Sequence, residues 1–254
     1  PERHDDSRCR GRAVLCCRRR FHAPSRRSPI PALPEVPRTV NAHHARSVHA
    51  RPLLVAAVGG WCLAAAALAA PPGPDDWPCW RGPTHDGQAR AGQTVPLSWG
   101  EGKNVLWTAD VPGRGNGSPT VIGPRVYLAT CDEEAGSQSV LAFDRATGRP
   151  VWTTVVHATG AMRKNEKSTG ASTTVSGDGE RLYVTFANAD AVVCSALDPD
   201  GRILWQRRVS DYVIHQGYGA SPLVQGGRVF VVADHKDKGR VAALDPASGE
   251  ILWE

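Results

Sequence analysis

The side chains able to do chemistry fall in short polar stretches between apolar runs. His215 and His235, with Asp234 and Asp237, are residue types that bind metals. Their spacing argues against it. Asp234-x-x-Asp237 supplies too few oxygens for calcium, and no Cys-x-x-Cys offers a zinc site. Arg163, Lys164 and Lys167 share one long polar stretch, 157–171, which suits either an anionic ligand or partner or a solvated charged loop. No Gly-x-Ser-x-Gly occurs, and spacing alone singles out no Ser/His/Asp set. Cys79, Cys131 and Cys194 read as small buried hydrophobes, with a Cys131–Cys194 bridge as the alternative.

The elements that position these residues repeat. Ala142-x-Asp144-x-x-Thr147-Gly148-x-x-x-Trp152 recurs as Ala243, Asp245, Ser248, Gly249 and Trp253, and one residue shorter as Ala196, Asp198, Gly201 and Trp205. Trp107, Trp152, Trp205 and Trp253 are 45, 53 and 48 residues apart, a period near 50. Each copy reads as a β-hairpin. The Asp carboxylate caps the turn, the Gly takes φ > 0, and the Trp lies on the returning strand, where a large flat side chain suits packing between repeated units. Before each hairpin come two more apolar runs split by Gly-rich turns: 118–123 and 126–129, 172–177 and 182–185, 221–226 and 229–232. Four short strands in each period make a propeller blade. Val105-Leu106-Trp107 heads a further outermost strand, 105–111, with no hairpin before it.

This pattern resembles the tryptophan-docking motif of quinoprotein-type, or PQQ-like, β-propellers. The expected fold is all-β, a β-propeller of four-stranded antiparallel blades carrying these motifs. About three blades are present and the ring is incomplete, so the chain is expected to be an N-terminal fragment. Trp77-Pro78-x-Trp80-Arg81-Gly82-Pro83 resembles the opening segment of exported PQQ-like propellers of planctomycete-type bacteria, with Trp77 and Trp80 expected to pack.

Charge divides the chain. Residues 1–51 hold 12 Arg against four acids, an excess of +8, whereas residues 52–254 hold 18 Lys and Arg against 21 acids. The repeat region is thus mildly acidic, which argues against nucleic acid. Residues 53–70 are apolar, follow Arg46 and Arg51, and end in Ala67-Leu68-Ala69. They read as the core of a signal peptide whose removal leaves no stable membrane span. The expected layout is a disordered or untranslated prefix at 1–47, a signal peptide at 48–70, a lead-in at 71–104 and a partial propeller at 105–254.

In a propeller blade the fourth-to-first and second-to-third connections open on one face. That face would carry Arg114, Asn116, Arg163, Lys164, Lys167, His215, Tyr218 and His235 as candidate binding residues. The leading expectation is an exported, periplasmic or cell-surface, non-catalytic propeller. It would bind a protein, peptide or glycan and use no cofactor. The resemblance also implies an alternative, a PQQ-dependent dehydrogenase using calcium. Such enzymes commonly carry a vicinal Cys pair near the cofactor, and the pair present here, Cys16-Cys17, precedes the apolar run.

Overall fold

The computed structural model describes residues 71–93, 95–162, 165–236 and 238–254. The expectations for 1–47 and 48–70, and the candidates Arg163, Lys164 and Asp237, lie outside the described residues. Twelve strands form three four-stranded antiparallel sheets, each built from consecutive strands. The first holds β1 (Thr120–Ile122), β2 (Arg125–Asp132), β3 (Ser137–Asp144) and β4 (Pro150–His157). The second holds β5 (Ser176–Gly177), β6 (Leu182–Asn188), β7 (Ala191–Leu197) and β8 (Ile203–Asp211). The third holds β9 (Leu223–Gln225), β10 (Arg228–Ala233), β11 (Arg240–Leu244) and β12 (Ile251–Trp253). These are three blades of an all-β propeller.

The middle strands of the first two blades are buried on both faces, which explains their unbroken apolar runs. Tyr127, Ala129, Val140 and Ala142 pack against Val175, Leu182, Val184, Phe186 and Leu197 of the next blade. Tyr183, Val192, Cys194 and Ala196 meet Val229, Val231, Ala242 and Leu244 of the third in the same way. Cys79, Cys131 and Cys194 are buried, and no disulfide joins Cys131 to Cys194.

The hairpins join the blades. Trp107 Nε1 donates to Arg145 O at 2.9 Å, Trp152 to Pro199 O at 3.0 Å and Trp205 to Pro246 O at 2.9 Å. Each acceptor follows the hairpin Asp of the next unit. The ring of each Trp lies on that unit's glycine. A Cβ at Gly148, Gly201 or Gly249 would come within 2.5–2.7 Å of Trp107, Trp152 or Trp205, and all three glycines have positive φ. Glycine is therefore required twice over, for the turn and for the ring. The copy one residue shorter changes the loop but keeps Gly201 and the carbonyl in place. Behind each Trp stands an aromatic of its own second strand: Tyr127 with Trp152 at 5.8 Å, Tyr183 with Trp205 at 6.0 Å and Phe230 with Trp253 at 6.0 Å.

Two expectations change. Residues 105–110 form no strand, although Trp107, Ala109 and Val111 alternate onto Val126, Leu128, Leu141 and Phe143. The alternation satisfies the apolar face, but no described neighbour supplies a ladder. The first strands are also shorter than the runs at 118–123, 172–177 and 221–226. Pro119 and Pro222 have no N–H to give, and the backbone here bonds sideways to the next blade. Ser118 N donates to Thr174 Oγ1 at 3.0 Å, and Thr174 N to Ser221 Oγ at 2.9 Å.

The lead-in lies across the first strands. Trp77 and Val121 exchange backbone hydrogen bonds of 2.8 and 2.9 Å, and Gly177 N donates to Pro78 O at 2.9 Å. Buried Asp76 accepts from Gly73 N, Gly123 N and Arg145 Nη1 at 2.7, 3.0 and 3.1 Å.

Candidate functional site

The loops that follow the second and fourth strands lie together and are cross-linked by hydrogen bonds. Residues 113–117 read Gly-Arg-Gly-Asn-Gly and run extended between the first two blades. Arg114 exchanges backbone bonds of 2.8 and 2.9 Å with Cys131, and Asn116 N donates to Ala171 O at 3.0 Å. A Cβ at Gly115 would stand 2.6 Å from Ala129 O, and one at Gly117 would collide with Thr173 O. The alternating glycines let the chain lie flat here, so only Arg114 and Asn116 carry side chains outward. Arg114 Nη1 bonds Glu133 at 2.9 Å, and Asn116 Nδ2 donates to Lys167 O at 3.3 Å.

Sequence reasoning missed the pin beneath this face. Gln138, fully buried on β3, donates from Nε2 to Gly170 O at 2.6 Å and Ala187 O at 3.1 Å. Its Oε1 accepts from Asn188 Nδ2 at 3.0 Å, and the same amide reaches Thr159 O at 2.7 Å. One glutamine thus ties the first blade to the second blade's entry loop. The stretch 157–171 is accordingly not a free loop. His157 ends β4, Gly160 O accepts from Ala189 N, Ala161 N donates to Gly136 O, and Thr169, Gly170 and Ala171 are buried. Lys167 is exposed.

The remaining candidates divide. His215 is exposed. Beside it Gln216 Oε1 accepts from Asn165 Nδ2 at 2.8 Å. Tyr218 is buried, donating its hydroxyl to Val232 O at 2.9 Å, and its ring lies 5.4 Å from Tyr212. Tyr212 in turn packs 5.7 Å from half-buried His235. Burial pushes the Tyr218 and Tyr212 phenols up. Tyr218 and His235 therefore pack with Tyr212 into an aromatic cluster, while Asn116, Lys167 and His215 are exposed and Arg114 is half-buried. His157 Nε2 and His235 Nδ1 are buried with no hydrogen-bond partner among the described residues. Burial pulls the His157 imidazole below its usual range. The hairpin residues Asp144, Asp198 and Asp245 lie at the other end of the strands. Asp144 Oδ1 accepts from Thr147 N and Oγ1, and Asp245 Oδ1 from Ser248 N and Oγ.

A cavity of about 370 Å³ opens on the loop face beside Cys131, lined also by Glu133, Glu134, Gly136, Ala161 and Gly170. Its charged lining is acidic. Among the described residues no three His, Cys, Asp or Glu side chains are grouped to hold a metal.

Residues 89–163 and 136–254 match the family model of the PQQ-like repeat described as "Outer membrane protein assembly factor BamB". The chain belongs to this family. It is 29% identical over 171 residues to the outer membrane protein assembly factor BamB of Bordetella pertussis, covering 66% of this chain and 37% of that protein. It is 24% identical over 195 residues to a polyvinylalcohol dehydrogenase of Pseudomonas sp, covering 71% of this chain and 29% of that one. The chain thus spans about a third of the length of the curated relatives it matches. Among solved structures it is similar to a europium-containing methanol dehydrogenase, with a TM-score of 0.41 and 19% identity. That likeness covers 56% of this chain and 24% of the other. The quinone cofactor of PQQ-dependent enzymes is a tricarboxylate held with calcium. Among the described residues the charged lining of the loop-face cavity is Glu133 and Glu134, whose carboxylates would repel those of the quinone.

Proposed function

We propose that this chain is part of an exported, non-catalytic propeller whose loop face holds a protein partner. The carrying observation is the match of residues 89–254 to the BamB assembly-factor family. The B. pertussis relative is named for outer-membrane protein assembly. The loop face suits that role. Its backbone is pinned from beneath by Gln138, and Asn116, Lys167 and His215 are exposed with Arg114 half-buried. A prearranged polar surface loses little conformational freedom when a partner seats on it.

In this reading residues 48–70 direct export, 71–104 form the lead-in and 105–254 carry the blades. Among the described residues no helix is long and apolar enough to cross a membrane. The test is reconstitution of the full chain with PQQ and calcium, followed by dye-linked oxidation of alcohols and polyols. The binding reading expects no turnover and no quinone retained on gel filtration. The likeness to a polyvinylalcohol dehydrogenase favours the second reading, a PQQ-dependent dehydrogenase. Cofactor-dependent turnover would establish that reading and remove the first.

A further inference from the structure

We propose that the lead-in and the first strands enclose a binding site for a neutral saccharide, with the sugar ring stacked on Trp80. This goes beyond the partner-binding reading and does not depend on it. The site is a cavity of about 720 Å³ between residues 79–85 and the starts of all three blades. That volume falls within the range of small-molecule sites. Residues 71–88, which form one wall, lie outside the stretch matched by the family.

The lead-in places its two central tryptophans differently. Trp77 is half-buried, covering Gly82 so closely that a Cβ there would stand 2.8 Å from the indole. Trp80 is 57% exposed and lines the cavity, with the Arg81 guanidinium 5.5 Å from its ring centre. The bend that follows Trp80 is costly to make. Arg81 and His85 have φ of 68° and 60°, a left-handed conformation that side chains with a Cβ avoid. Two contacts help hold it. The Cys79 thiol donates to Gly82 O at 3.1 Å and lies 3.4 Å from His85 Nδ1. A strained, pinned turn that leaves an indole in the open points to a task for the indole.

The opposite wall decides the ligand. Ser118, Thr174 and Ser221 occupy the same position in the three blades and all line the cavity, together with Ser172 and Asn116. The Ser118 hydroxyl, Asn116 Oδ1 and Trp80 Nε1–H have no protein hydrogen-bond partner among the described residues. This set offers donors and acceptors together; the cation of the lining, Arg81, stands over the Trp80 ring and donates to Asp86 O at 3.2 Å, and no carboxylate is among the described lining residues. A carboxylate or phosphate ligand can only accept, and it would meet Asn116 Oδ1 unfavourably. A hydrocarbon would leave the polar groups unpaired. Sugar hydroxyls both donate and accept, and the C–H face of a pyranose lies flat on an indole.

The test titrates the full chain with glucose, N-acetylglucosamine, cellobiose, chitobiose and PQQ, using calorimetry and saturation-transfer NMR. We expect saturable millimolar or tighter binding of at least one saccharide, with the strongest transfer to the C–H protons of one ring face. Trp80→Ala should weaken it roughly tenfold, the scale of one stacked ring, and Ser118→Ala roughly fivefold, the scale of one hydrogen bond. The thermal midpoint of Trp80→Ala should stay unchanged, because Trp80 is exposed. Silence from every saccharide, equal binding by Trp80→Ala, or binding of PQQ alone would overturn the proposal.

Discussion

The two ends of the blades are held together in different ways. At the hairpin end one device is used three times: an indole on a glycine, with its N–H on the carbonyl after the hairpin Asp. At the loop end the bonds where the first strands begin repeat, Ser118 N to Thr174 and Thr174 N to Ser221, but the contacts among the loops do not. Gln138 joins the first two blades, Asn165 and Gln216 the loops of the next pair, and Tyr212 and Tyr218 pack against each other with no counterpart in the first blade. A repeated contact serves assembly of like units and leaves nothing to distinguish one junction from another. The end that varies is the end free to be specific.

Breaking the hairpin device should have the largest effect on stability. Trp152→Ala removes the ring from Gly201 and the N–H from Pro199 O, and should cost about 3 kcal/mol in chemical denaturation, the low end for Trp truncation because the ring is only partly buried. Gly201→Val, which clashes with Trp152 from the other side, should be far from additive with it. Gln138→Leu attacks the loop end. It leaves Gly170 O and Ala187 O without their donor and should cost about 2 kcal/mol. Slowed amide exchange should be lost around 159–171 in that variant while the hairpins keep their protection.

A smaller effect separates the ends by pH. Burial depresses the His157 pKa, so its neutral form is favoured in the folded state. The stability this gives is fully present above the unfolded value near 6.5 and is lost as pH falls from there toward the folded pKa. Thermal midpoints should therefore drop between pH 7 and pH 5, and His157→Phe, whose ring can keep the contact with Phe186, should flatten that slope. The hairpin carboxylates respond elsewhere. The Thr147 hydroxyl and backbone bonds hold Asp144 below the usual carboxylate range, and its contribution fades only below about pH 4. Arg114→Ala should change stability least, by about 0.5 kcal/mol, since its ion pair with Glu133 is partly exposed.

The same contrast governs what the sequence reveals. A hairpin is written within eleven residues, so Asp144, Gly148 and Trp152 announce the fold on their own. The aromatic behind each Trp, at 127, 183 and 230, was also present as a period but needed the register of the second and fourth strands on the third, where Ala142 lies between Tyr127 and Trp152, to gain meaning. The loop-end contacts join residues 32 to 51 positions apart through side chains common anywhere, as in Gln138 to Gly170 and Asn165 to Gln216. No spacing rule marks them. The alternating glycines at 113–117 went unread, although three in five residues signal close backbone approach. Tyr218 was placed on the right loop, but its side chain turned inward because Val232 O offered a buried acceptor.

The most direct test of the account places a photo-crosslinking amino acid at Lys167 or His215 on the loop face, and at Asp200 on a hairpin, in cells making the full chain. The account predicts adducts to the same discrete envelope protein from Lys167 and His215, and none from Asp200. Adducts from Asp200 alone, or none from the loop face, would contradict it.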